Sequence, residues 1–174
     1  MPVKQHKAKR SKPLDAPSVG LERLVENGDE LAFRDFMSDI FAAAAALQTL
    51  RRKAAKSFGL SSSELAVIMA VAKLKPKPSI RRIAAHLHVS ASNVTADVGR
   101  LVRATFLKKS QDSDDARAIN VALTLSGRAL VDDMIPTLRA VNDRLFAGMS
   151  RGDMTAVSKL LKHIVSEGDR LVRG

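Results

Sequence analysis

The 174-residue sequence predicts a mainly α-helical fold carrying one small β-hairpin. Three observations point there. Apolar residues recur every three or four positions through most of the chain, the period of an amphipathic helix. Two short runs, "FLKKS" and "INVALTL", read instead as strands, with Ile119, Val121 and Leu123 alternating with polar or small neighbours in the second. Between them lies a polar, charged tip, "QDSDDARA", of hairpin character.

The elements follow in order. Residues 1–29 form a basic arm and lead-in, in which Lys4, Lys7, Lys9, Arg10 and Lys12 precede any acidic residue. Such a run is either a solvated, disordered arm or a DNA-contacting one. No apolar stretch follows these charges, so no signal peptide is expected. A first long helix, over 30–58, carries Phe33, Met37, Ile40, Ala44 and Leu47 on one stripe, and Gly59 ends it. "SSSE" then reads as a capping box, with Ser61 as N-cap and Glu64 three residues on. The helix it opens carries Leu65, Ile68, Val71 and Leu74, and Pro76 and Pro78 bar its continuation.

Ser79 caps a short helix, "IRRIAAHLHV", and a tight turn leads to "VSASNVTADVGRLVRA". His88 falls in that turn, where a positive φ is needed; histidine is among the few non-glycine side chains enriched there. Past the hairpin, Ser126-Gly127 is expected to start a long helix with Leu130, Met134, Leu138, Val141, Leu145 and Met149 on one face, kinked at Pro136. Gly152 is expected to break the chain and Asp153 to cap a last helix carrying Val157, Leu160, Leu161, Ile164 and Leu171. The Arg-Gly-Asp triplet there is read as helix punctuation, not as an adhesion motif.

Helix, helix-turn-helix, hairpin, helix is the outline of a winged helix-turn-helix. The winged DNA-binding domain is placed at 59–126, with dimerisation helices at 30–58 and 127–174. The outer helices carry more apolar face than one small domain can cover, so each is expected to pair with a second copy.

Composition narrows the function. Net charge is +11, with a pI near 10.4. That makes nucleic acid the leading partner and an anionic membrane surface the second. Aromatic residues are only 3%, with no Trp or Tyr, which counts against stacking single-strand binders. With no cysteine, disulfides, thiolate metal sites and thiol sensing are excluded, and a cytoplasmic protein is expected. The longest apolar run, near Ile40 to Leu47, is about one third of a membrane span. His86 and His88 lack enough companions for a metal site, because only His6 and His163 remain.

The helix after the turn opens on Ser90, Ser92, Asn93 and Thr95, which cap well but propagate a helix poorly. On a helical wheel Val94, Val98, Leu101 and Val102 share one side, and Ser92, Ala96, Gly99 and Arg103 lie opposite. Asn93 and Arg100 fall on one flank and Thr95 on the other. A helix anchored by valine and leucine can spend its outer face on a slim, polar surface. A recognition helix needs that form to enter a major groove about 12 Å wide. Ser, Asn and Thr both donate and accept; Arg100 and Arg103 suit guanine edges or phosphates. Ser79, Arg81 and Arg82, at the start of the preceding helix, are assigned to the DNA backbone.

On these residues the chain resembles the MarR family of transcriptional regulators. The match rests on "SIRRIAAHLHVSASNVTADVGRLVRATFLKK" and on the wing "DSDDARAINVALTLSGRAL", where Asp112, Asp115, Arg117, Leu123, Thr124 and Gly127 keep the family frame. The resemblance implies an obligate homodimer on a pseudo-palindromic operator, a repressor by default, with no cofactor. It implies Arg117 in the minor groove, oriented by Asp115. It also implies a small aromatic or anionic ligand between the dimer helices and the winged domain, with Phe33, Met37, Phe41 and Met134 as candidate lining. Three positions depart from the pattern. Ala116 replaces the first wing arginine, Ala96 a basic residue on the helix, and Thr105 the glycine that usually closes it. A tuned operator, or more reliance on Lys108, Lys109 and the basic arm, is expected to compensate.

The alternative reading is an architectural, sequence-tolerant DNA-binding protein, since phosphate neutralisation alone gives non-specific affinity. That reading leaves the polar helix unexplained. No nucleophile–base–acid set, phosphate-cradling glycine loop or metal cluster is legible, so no enzyme is expected. No helix combines dense Lys/Arg with exposed Phe or Trp, as a membrane-surface helix would.

Overall fold

The computed structural model describes residues 18–25, 30–74, 76–111 and 118–174. Two compact units make up the chain, Met1–Arg51 and Arg52–Gly174.

In the first unit a 3-10 turn, Glu22–Leu24, precedes the helix α1, Leu31–Ser57, which runs on into the second unit. Glu30, just ahead of α1, is buried. Its carboxylate accepts hydrogen bonds from the backbone N–H groups of Ser18 at 2.6 Å and Val19 at 3.3 Å, from the Ser18 hydroxyl at 3.0 Å, and from Arg34. Burial pushes this carboxyl up, but Arg34 and Ser18 outweigh that and hold it below its ordinary value. The lead-in is thus tied to the start of α1.

The second unit contains α2 (Ser62–Lys73), α3 (Ile80–Leu87), α4 (Ala91–Arg103), β1 (Leu107–Gln111), β2 (Ile119–Leu123), α5 (Leu125–Leu145) and α6 (Arg151–Arg173). The strands pair antiparallel from Leu107↔Leu123 to Gln111↔Ile119. Ser79 bridges to Asn120, and the Val121 N–H donates to the Pro78 carbonyl at 3.0 Å, which fastens the hairpin to the start of α3. One core joins these elements: Leu65, Ile68 and Val71 of α2, Ile83 of α3, Val94, Val98 and Leu101 of α4, Leu107 and Val121 of the hairpin, and Val131 and Met134 of α5. This is the mainly α fold with a β-hairpin wing that the periodicities predict.

Most local signals act as read. Ser61 and Glu64 form the capping box, Ser79 caps α3, and Ser90 caps α4. His88 takes φ 53° and ψ 44°, the left-handed conformation expected in the turn. Thr105, where the resemblance leads one to expect glycine, also has positive φ, at 63°.

Two helix starts differ from expectation. α5 is capped by Thr124, not started at Ser126-Gly127, because Thr124 directly follows the last strand residue and its hydroxyl accepts from the Gly127 N–H at 3.0 Å. α6 is capped by Ser150, whose N–H donates back to the Asp153 carboxylate at 2.9 Å. Gly152 therefore lies inside the first turn and breaks nothing. The Ser150 hydroxyl and N–H hold the Asp153 carboxyl below its ordinary value.

Thr124 and Gly127 make one joint. The Thr124 hydroxyl donates to the Thr105 carbonyl at 2.6 Å, its N–H donates to the Phe106 carbonyl at 3.1 Å, and the Ser126 hydroxyl reaches the Thr105 carbonyl at 2.9 Å. α5 thereby begins pressed against the residues that close α4. A Cβ at Gly127 would stand 2.0 Å from the Phe106 carbonyl oxygen. Gly→Ala inside a helix is normally stabilising; here the clash with backbone reverses the sign. We expect Gly127→Ala to lose about 1–3 kcal/mol in urea unfolding. An unchanged or raised midpoint would show that the joint yields.

Candidate nucleic-acid interface

The candidate surface is built on α4. Its inner side carries Val94, Val98 and Leu101, at most 1% exposed. Val102, placed on the same stripe by the wheel, is half-buried. Ser90, Ser92, Asn93, Thr95, Arg100 and Arg103 are all exposed, as is Ala96.

Several hydroxyls at the start of α4 already hold local bonds. Ser90 accepts from the Asn93 N–H at 3.3 Å and lies 2.9 Å from the Ser92 hydroxyl. Thr95 donates to the Ala91 carbonyl at 2.8 Å, which commits its proton and leaves its oxygen as an acceptor. The weak helix formers thus satisfy the first turn while staying at the surface. The partial positive charge of the helix N-terminus adds to the same end. Arg103 reaches back over Gly99, where even an added Cβ would sit 3.7 Å from its guanidinium, an ordinary van der Waals contact.

Arg81 and Arg82 are exposed in the first turn of α3, and Lys108 and Lys109 on β1. These four and Arg103 have no ion-pair partner among the described residues. Ser79 is half-buried and its hydroxyl accepts from the Arg82 N–H at 3.2 Å, so that oxygen serves first as a cap. The wing residues Asp115 and Arg117 lie outside the described residues.

Arg100 differs from the other exposed cations. Its guanidinium donates to Glu64 at 2.9 Å and to Asp97. Asp97 is buried, between Val94 and Val98 on the inner stripe, and also accepts from the Ser63 hydroxyl at 3.0 Å. Sequence reasoning passed over Asp97 and Ser63. The signal was present: Val94, Asp97, Val98 and Leu101 follow the i, i+3, i+4, i+7 spacing of a core stripe, with one carboxylate in it.

The Ser61 N–H, against the effect of burial and together with the Ser61 hydroxyl and Arg100, holds the Glu64 carboxyl below its ordinary value of 4.5. The folded state then binds fewer protons than the unfolded one near that value. Stability is full at neutral pH and declines as acid titrates Glu64. Glu64→Gln should therefore flatten the acid side of the stability–pH curve while lowering the neutral plateau. An identical acid limb in both proteins would contradict this assignment.

The four residues named for a ligand pocket are not equivalent. Phe33 and Met37 are half-buried and Phe41 exposed in the first unit, whereas Met134 is fully buried in the core of the second. A cavity of about 560 Å³ in the second unit is lined by none of them; Phe146, Met149, Val157, Leu161 and Val165 form its apolar wall. No group of three His, Cys, Asp or Glu able to hold a metal ion occurs among the described residues. No helix among them is long and apolar enough to cross a membrane.

Comparison with known proteins points to the same fold. The family model described as MarR family matches residues 58–118, a segment that includes α2, α3, α4 and β1. Over that segment the chain is similar to the MarR family. Over 107 residues it is 29% identical to the HTH-type transcriptional regulator YkoM of Bacillus subtilis, covering 62% of this chain and 69% of the relative. Over 81 residues it is 30% identical to the HTH-type transcriptional repressor NicR of Pseudomonas putida, covering 47% of this chain and only 51% of NicR. The fold is similar to that of CouR from Rhodococcus jostii RHA1, solved bound to p-coumaroyl-CoA, with TM-score 0.68, 21% identity, and coverage of 77% of this chain and 94% of CouR. What the MarR-family relatives share is DNA-binding transcriptional regulation, not catalysis.

Proposed function

We propose that this MarR-family chain is a cytoplasmic, sequence-specific transcriptional regulator that binds double-stranded DNA as a homodimer, acts as a repressor, and releases its operator on binding a small aromatic or anionic ligand. The observation that carries the reading is α4: an exposed first turn of Ser90, Ser92, Asn93 and Thr95 on a helix whose other side is fully buried. That geometry delivers donors and acceptors to base edges without costing the fold its anchor. Arg103 extends the surface, Arg81 and Arg82 supply phosphate contacts, and Lys108, Lys109 and Arg117 belong to the wing.

The dimer is supported by α6. Met154, Val157, Leu160, Leu161, Ile164 and Val165 are each at least 40% exposed, at helical spacing. A stripe of that size on one copy suits an isologous pairing with the same stripe on another. In the proposed organisation residues 59–126 bind DNA, and the helices within 30–58 and 127–174 hold the two copies together. Leu161→Glu should lower the sedimenting mass from two chains to one at micromolar concentration. A dimer that survives the substitution would move the interface elsewhere.

The ligand class is suggested by CouR's p-coumaroyl-CoA complex, a property of that relative. The decisive test titrates the protein against the DNA upstream of its own gene and against scrambled DNA, at near-physiological salt. A specific regulator prefers its operator by about 10³-fold or more, and Arg117→Ala should erode most of that preference. A ratio near one with a steep salt slope, at every site recovered from a randomised duplex pool, would favour the architectural alternative to which the charge of +11 also lends itself.

A further inference from the structure

Asp97 occupies a position on α4 where an apolar side chain would complete the stripe of Val94, Val98 and Leu101. It is 4% exposed. A carboxylate is tolerated there only when paired and hydrogen-bonded, and both conditions are met. The Ser63 hydroxyl donates to its Oδ1 at 3.0 Å, and the Arg100 guanidinium donates to the same oxygen. The Arg100 Nε donates in turn to Glu64 Oε1 at 2.9 Å. Glu64 is itself held by the Ser61 N–H at 2.8 Å as part of the α2 capping box. Four side chains therefore link the first turn of α2 to the middle of α4.

We infer that Asp97 and Arg100 are positioning residues, and that the Ser63–Asp97–Arg100–Glu64 network fixes the rotation of α4 about its own axis. Apolar packing is largely non-directional, so a valine–leucine stripe alone lets a helix roll or slide by a fraction of a residue. Charge-assisted hydrogen bonds are directional. A roll of α4 would carry Asn93 and Thr95 away from the base edges they face, while leaving the core filled. The network thus acts on which side chains meet the groove, and Arg100 acts through Asp97 and Glu64, not on a base. This inference rests on the DNA-binding reading for its consequence, though not for its geometry.

The test uses the full chain, in which the absence of cysteine allows clean labelling. Cysteines introduced at Ala96 on α4 and Ala129 on α5, both exposed, carry spin labels. The distance distribution is recorded without DNA for the unsubstituted network, for Asp97→Leu, for Arg100→Gln, and for the pair together. Leucine at 97 completes the apolar stripe, so that variant should fold with an equal or higher unfolding midpoint, yet its distance distribution should broaden. Operator preference, measured on a duplex selected by the wild-type protein, should fall about tenfold in each single variant and about tenfold, not a hundredfold, in the pair. The double variant also leaves no stranded carboxylate should Arg100→Gln alone fail to fold.

A narrow, unchanged distribution in Asp97→Leu would overturn the proposal, whatever the DNA result. Multiplying losses in the double variant would overturn it for Arg100, by showing direct contact with DNA. If the wild-type protein selects no duplex at all, the regulator reading falls, and the distance distribution alone still decides whether the network orients α4.

Discussion

The winged helix depends on the burial of one side of α4. Val94, Val98 and Leu101 meet α2 and α3 with essentially no exposure, and removing any one to alanine leaves a cavity that costs up to several kcal/mol. Because that side supplies the stability, the other side is released from supplying any. Serine, asparagine and threonine can then stand at the surface of a helix they would not have formed alone. The same burial aligns α3 behind α4 and brings the start of the wing under both.

Around this anchor the chain closes by backbone, not by side-chain mass. The carbonyls of Thr105 and Phe106 are gathered by Thr124 and Ser126, so the end of α4 and the beginning of α5 share one set of hydrogen bonds. The Leu-Thr-x-x-Gly pattern at 123–127 acquires a physical meaning from this. Leu123 is the last strand residue, Thr124 caps α5 while clasping the loop below it, and Gly127 leaves space for a carbonyl that any side chain would strike.

Much of this architecture was legible in the sequence because its signals are local. Capping serines at 61, 79 and 90, the prolines at 76 and 78, and the alternation of Ile119, Val121 and Leu123 each act over a few residues. The starts of α5 and α6 were misplaced where two capable residues stood close together: Thr124 against Ser126, and Ser150 against Asp153. Choosing between them requires knowing where the preceding segment ends, which is tertiary information. Asp97 was overlooked for a related reason. Its partner Ser63, and the Glu64 that its neighbour Arg100 also holds, lie more than thirty positions away in the chain, and no local pattern announces such a pairing. Arg117 and Asp115 were reached through family likeness, and they lie outside the described residues.

Three joints around the recognition unit, at Lys77, His88 and Thr105, hold positive φ without glycine. Threonine is an especially poor occupant of that region, since its branched Cβ crowds the backbone. None of these residues would choose its conformation alone; the packing on either side imposes it. The helix-turn-helix is therefore not a portable cassette. Cut out as a peptide, or grafted onto a scaffold that does not clamp both ends, the stretch from 77 to 105 would relax at its hinges and lose the crossing of its two helices. Transplanting the proposed DNA-reading surface to another protein would require moving α4's outward side chains alone, onto a framework that already has joints of its own.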